Sequence, residues 1–179
     1  MQRWKTLARQ KVLDHPPFLT VEMHSVELPD GRVIRDWAWL ITPDFVNVLA
    51  VTSDGQFLVF RQTKYALSGE TLAVVGGFLE TGETPEAAAR RELLEETGYA
   101  APELISLGSY VVDPNRGVAR AHFFLAKGVI RTGTRNTDEL EEQELLLMSR
   151  AEMEAALTEN RFGTVAWTAL VALGLRLAA

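Results

Sequence analysis

Cysteine is missing from all 179 residues. That removes disulfide frameworks, thiol nucleophiles and Cys-based zinc sites together, and it fits a reducing compartment. A cationic surface is missing too. Lys and Arg number 18 against 24 Asp and Glu, a formal charge of −6, which is the wrong sign for a module that grips nucleic-acid phosphates. No apolar run is long enough for a bilayer: the most hydrophobic stretch, between Arg161 and Arg176, is 14 residues and is interrupted by Gly163, Thr164, Thr168 and Gly174. The N-terminal MQRWKTLARQKVLDHPP scatters its charges and has no continuous apolar core, so no secretory signal is read there. Histidine is sparse, and His15, His24 and His122 lack ligand spacing to one another; they read as ordinary strand or surface residues. What remains is a cytoplasmic globular chain with 47% hydrophobic residues, the size of one domain with a small appendage and with no membrane or nucleic-acid partner.

The pattern along the chain is mostly strand. Residues 1–17 read as an arm or strand entry ending in Pro16-Pro17. Apolar and polar residues then alternate from Phe18 to Leu28 and from Val33 to Ile41, around the turn Pro29-Asp30-Gly31, which predicts a hairpin. A second hairpin joins Val46–Val51 to Phe57–Arg61 through Ser53-Asp54-Gly55. Leu72–Val75 is a short buried strand leading into Gly76-Gly77. Thr84 to Thr97 is the strongest helix signal, with Thr84 as cap, Pro85 at the first position and Gly98 at the exit. Strands follow at 104–112, 119–127 and 144–148. Ser149-Arg150-Ala151-Glu152 is a capping box that opens a helix, and a last helix covers 163–177. This order predicts an α+β fold, an α/β/α sandwich on a mixed sheet with an N-terminal β-hairpin extension. We divide it as residues 1–42, the extension, and 43–179, the main domain.

Charge is unevenly spread. Between Gly77 and Tyr99 stand Glu80, Glu83, Glu86, Glu92, Glu95 and Glu96 against Arg90 and Arg91, a net of −4 that leaves −2 for the rest. On a helix, Glu92, Glu95 and Glu96 fall at i, i+3 and i+4 and share one face. Three close carboxylates repel one another, and a divalent cation relieves this; hard oxygen donors suit Mg²⁺ or Mn²⁺. Ahead of the helix runs Gly76-Gly77-Phe78-Leu79-Glu80-Thr81-Gly82-Glu83, a glycine-bearing loop able to bring backbone close to a phosphate chain.

The string Gly77-x5-Glu83-x7-Arg91-Glu92-Leu93-x-Glu95-Glu96-x-Gly98-Tyr99 resembles the signature box of the Nudix hydrolases, with Tyr99 where a bulky aliphatic residue is usual. The resemblance implies an α/β/α sandwich that hydrolyses a nucleoside diphosphate linked to another moiety. It implies that Glu92, Glu95 and Glu96 bind the metal with the Gly77 carbonyl, and that Glu83 and Arg91 organise the site. Pro114 at sixteen residues past Gly98, the Arg61-Gln62 pair and the β-rich extension are similar to the ADP-ribose pyrophosphatase branch. That branch implies a homodimer built through the extension, with Trp37 and Trp39 stacking the nucleobase and Arg61, Pro114 and Arg116 facing the substrate. It also implies a loop glutamate near the attacking water, for which Glu141 matches best, with Glu139 and Glu144 behind it. The branch usually carries Glu-x-Pro-Ala-Gly before the box; here the stretch is Ala73-Val74-Val75-Gly76-Gly77, and Lys64 replaces a usual Arg. The expected activity is therefore Mg²⁺-dependent cleavage of a nucleotide sugar, ADP-ribose first. A nucleoside triphosphate pyrophosphohydrolase and a nucleotide sensor without catalysis are the alternatives.

Overall fold

A computed structural model describes residues 1–135 and 142–178. Contacts divide the chain into two compact units, one of residues 1–44 with 110–120 and the other of residues 45–109 with 121–179. The second unit carries the box.

The first unit is a three-stranded antiparallel sheet, β1 (Lys5–His15), β2 (Leu19–Glu27) and β3 (Val33–Ile41), in the order β1-β2-β3. The β2–β3 hairpin is the one predicted, and Gly31 sits at φ +84° in its turn, where a side chain would be strained. The opening residues are a full strand instead of an arm. β1 is exposed throughout, Leu7, Val12 and Leu13 included, so its residues lack the one-sided burial that makes a strand legible. Residues 110–120 complete this unit: Leu40 N–H donates to Arg116 O and Trp37 Nε1–H to Asn115 O.

In the second unit β4 (Phe45–Thr52) and β5 (Phe57–Thr63) lie side by side at Ala50–Leu58 and Val51–Phe57, then part. β6 (Glu70–Ala73) takes the edge of β5, and β7 (Val75–Phe78) takes the edge of β4. The single strand expected at 72–75 is thus broken at Val74 and serves two neighbours in turn. β10 (Val118–Arg131) runs parallel to β4, and β11 (Gln143–Met148) runs antiparallel to β5. β8 (Tyr99–Ala100) and β9 (Glu103–Asp113) both pair with β10. The sheet is therefore mixed. Because β4 is buried on both sides, it reads as a near-continuous apolar run.

The two faces carry separate cores. Val46, Val48, Ala50, Leu58, Phe60 and Val75 pack against Ala88, Ala89 and Leu93 of α1 (Pro85–Thr97). Leu49, Val59 and Leu125 pack on the other face against Met153 of α2 (Arg150–Thr158) and Leu170, Val171 and Leu175 of α3 (Val165–Leu177). Helix, sheet and helix make three layers. No helix among the described residues is long and apolar enough to cross a membrane.

Candidate active site

Helix α1 positions the acidic groups. Thr84 Oγ1 accepts from Ala87 N–H at 3.2 Å, Pro85 presets the first turn, and Gly98 leaves the helix at φ +75° with its N–H on Leu94 O at 2.8 Å. Ala88, Ala89, Leu93 and Thr97 turn into the sheet. Small residues in the first half let the helix lie close, and the neighbouring stripe of Glu92, Glu95 and Glu96 is carried to the glycine strand β7.

Contacts with that strand are short. Gly76 N–H donates to Glu96 Oε2 at 3.1 Å. A Cβ built on Gly77 would stand 2.1 Å from Glu92 Oε1 and 2.7 Å from Oε2, so backbone and carboxylate share a space that any side chain would fill. On its other side Gly76 meets Asn47, whose Nδ2 lies 2.3 Å from where a Cβ would be. Asn47 is buried, and its Oδ1 has no partner among the described residues. Spacing alone revealed neither the Gly76–Glu96 link nor Asn47, because both depend on β7 lying against β4.

Arg91 is the hub. Its Nε and Nη2 hold Glu83 in a two-pronged pair at 3.0 and 2.9 Å, and Nη2 also donates to Phe78 O at 3.1 Å. Nη1 reaches Glu92 at 2.8 Å and Glu95 at 3.2 Å. Glu83 in turn accepts from Glu80 N–H at 3.1 Å, which closes the loop before the helix. One guanidinium therefore ties strand, loop and helix together, and its planar fork suits the task better than an ammonium. The Arg91 partner, then the Glu80 N–H, hold the Glu83 carboxyl below the usual carboxylate range. Glu92 goes the other way: burial pushes its carboxyl up despite Arg91. Those same carboxylates keep the Arg91 guanidinium firmly charged.

Glu92, Glu95, Glu96 and the Gly77 carbonyl supply hard oxygen donors of the type that divalent cations take. Among the described residues no group of three or more acidic or histidine side chains is closed on a point as it stands. Arg91 Nη1 lies between Glu92 and Glu95 instead. The donor chemistry and the cradle at Gly77 fit a cation that takes over this charge.

The other sequence-predicted residues fall elsewhere. Arg61 pairs across the β5–β11 ladder with Glu144, its register partner. Trp37, Trp39, Pro114 and Arg116 belong to the first unit. There Trp4 meets Trp37 edge-on at 5.1 Å and His24 stacks on Trp39 at 5.2 Å, while Arg116 pairs with Asp113 at 3.4 Å. Trp37, Trp39 and Pro114 line one cavity of about 370 Å³. Glu139 and Glu141 lie outside the described residues. Tyr99, the aromatic at the end of the box, packs partly buried on the α1-side core.

Three layers with a charged helix held against a glycine strand define a box-bearing sandwich, and comparison with known proteins says which. The NUDIX domain model matches residues 42–168, and the model for the nucleoside diphosphate sugar hydrolase N-terminal domain matches residues 4–40. The chain belongs to the Nudix family of hydrolases. It is 31% identical to an ADP-ribose pyrophosphatase of Bacillus subtilis over 86% of this chain and 80% of that one. To a GDP-mannose pyrophosphatase of Citrobacter koseri it is 37% identical over 68% of each chain. A solved structure described as an ADP compounds hydrolase superposes with a TM-score of 0.80 at 20% identity, covering 97% of this chain and 92% of that one, which shows the shared fold.

Proposed function

We propose that the protein hydrolyses the pyrophosphate bond of a nucleoside diphosphate sugar in a Mg²⁺-dependent reaction, with ADP-ribose, giving AMP and ribose 5-phosphate, as the first substrate to try. The observation that carries this reading is the Arg91-centred cluster, with Glu83, Glu92 and Glu95 on one guanidinium and Glu96 on the Gly76 amide. The ADP-ribose and GDP-mannose pyrophosphatases among the relatives support the substrate class.

In this reading Glu92, Glu95, Glu96 and the Gly77 carbonyl hold Mg²⁺ or Mn²⁺. When bound there, such a cation would supply charge neutralisation for the diphosphate and a lowered pKa for water. Arg91 and Glu83 keep strand, loop and helix in register, so the donors stay aimed. Glu141 would be the base for the attacking water. Arg61, Pro114 and Arg116 meet the substrate, and Trp37 and Trp39 offer faces to the base. A homodimer through the 1–42 extension is supported by the exposed Leu7, Val12, Leu13 and Phe18 around its sheet. The cysteine-free composition favours the cytoplasm.

Product chromatography over ADP-ribose, nucleotide hexoses and nucleoside triphosphates, each with and without Mg²⁺, tests the activity. Glu95→Gln and Glu96→Gln should each lose at least a hundredfold in kcat. Near-normal turnover of either variant in saturating Mg²⁺ would remove these residues from the site, and light scattering tests the dimer.

A further inference from the structure

Asn47 stands in β4 where the sequence pattern calls for an apolar side chain. Phe45, Leu49 and Val51, which share its face, all join the core under α2 and α3. Its register partner on β10, Phe123, belongs to the same core, and on β7 it faces Gly76. Asn47 is 4% exposed, and its Oδ1 has no partner among the described residues. A buried acceptor left unpaired is costly, whereas an apolar group of the same shape would be neutral or better there. Packing alone would therefore favour Leu or Val. An amide kept in such a place has a reason other than stability.

The neighbouring strand supplies that reason. β7 pairs with β4 alone among the described strands, so it is held from one edge. Its Gly76 and Gly77 are half-buried and have the widest backbone freedom of any residue type. Two parts of the candidate cation site nevertheless depend on this backbone: the Gly77 carbonyl, and the Gly76 N–H that holds Glu96 Oε2 at 3.1 Å.

Gly76 has no side chain of its own to steady it, and Asn47 stands in that place. A Cβ on Gly76 would lie 2.3 Å from Asn47 Nδ2 and 2.5 Å from Val46 O, so the amide nitrogen rests directly on the glycine backbone. On the opposite face, Glu92 crowds Gly77 and Glu96 takes the Gly76 N–H. The glycine strand is thus gripped between α1 carboxylates on one side and one amide on the other. A Leu methyl is larger than that nitrogen and would push the strand; Val has no δ atoms and would leave it unsupported.

We propose that Asn47 is a positioning residue of the cation site: its amide sets the Gly76–Gly77 backbone from behind, so that the Gly77 carbonyl and the Glu96 carboxylate keep their aim. The proposal rests on the cation reading above. Two measurements on the full chain read it without turnover: Mn²⁺ titration by electron paramagnetic resonance, and hydrogen exchange at the Gly76 amide of the metal-free protein by nuclear magnetic resonance. Asn47→Leu should hold or raise Tm, yet weaken Mn²⁺ binding about tenfold. Exchange at Gly76 should quicken about tenfold while the Leu125 amide, deep in the sheet, stays as it was. Wild-type Mn²⁺ affinity, or wild-type exchange at Gly76, in the folded variant makes Asn47 a mere filler and overturns the proposal. If Asn47→Leu does not fold, Asn47→Val decides by the same two readings. If wild-type protein binds Mn²⁺ no more tightly than Glu96→Gln, the cation reading itself fails. Exchange at Gly76 then still decides whether Asn47 holds the strand: faster exchange in the variant supports it, and unchanged exchange overturns it.

Discussion

Adding a single methyl group at Gly77 should separate catalysis from folding. A Cβ there would lie 2.1 Å from Glu92 Oε1 and 2.3 Å from its carboxyl carbon. Ordinary carbon–oxygen contacts begin about 1 Å farther out, and a displacement of that order is several times the roughly 0.2 Å tolerance of metal–ligand distances. Glu92 has little freedom to yield without loss: its side chain is 13% exposed and Arg91 Nη1 holds it at 2.8 Å. Gly77→Ala should therefore weaken Mn²⁺ binding at least tenfold by electron paramagnetic resonance titration. It should lower kcat on the order of a hundredfold, the penalty for a 1 Å misplacement at a reacting centre. Overpacking should cost about 1–3 kcal/mol of stability, so the variant remains folded. Wild-type metal affinity in a folded Gly77→Ala protein would refute the claim that strand backbone and carboxylate form one cradle.

Arg91→Lys replaces a fork by a point charge and should cost about 2–3 kcal/mol in urea unfolding, with kcat falling as well. Acid titration of the metal-free protein should show the Glu83–Arg91 pair directly. The Glu83 carboxyl is held low in the folded state, so its stabilisation is present above the usual carboxylate range and is lost as pH falls through the folded value; Glu83→Gln should flatten that acid limb in a Tm-against-pH series. Gly117→Ala should expel the Trp39 indole, since a Cβ there would lie 2.0 Å from Cζ2 at φ +67°, and the near-ultraviolet circular dichroism and indole fluorescence should report it.

Local chemistry made much of the architecture legible. Thr84, Pro85 and Gly98 bound α1 as their capping preferences require, and Ser149 with Glu152 forms the capping box. The Pro29-Asp30-Gly31 turn joins the strands it was expected to join. β1 escaped notice because it buries nothing, and the break at Val74 because Leu72–Val75 is uniformly apolar while the switch of partner is set by the parting of β4 and β5. Within the site, i, i+3, i+4 spacing placed the three glutamates on one helix side, and Arg91 joined Glu83 as expected. Asn47 was hidden for another reason. A buried amide is recognised by what fails to reach it, and that is a property of the folded neighbourhood.

Residues 110–120 return to the first unit from far along the chain, and they supply the carbonyls that hold Trp37 and Leu40 and the glycine against Trp39. During synthesis, then, the N-terminal hairpin leaves the ribosome well before its last contacts exist. Residues 45–109 of the other unit must emerge in between, so the earlier-made segment is among the last to be finished.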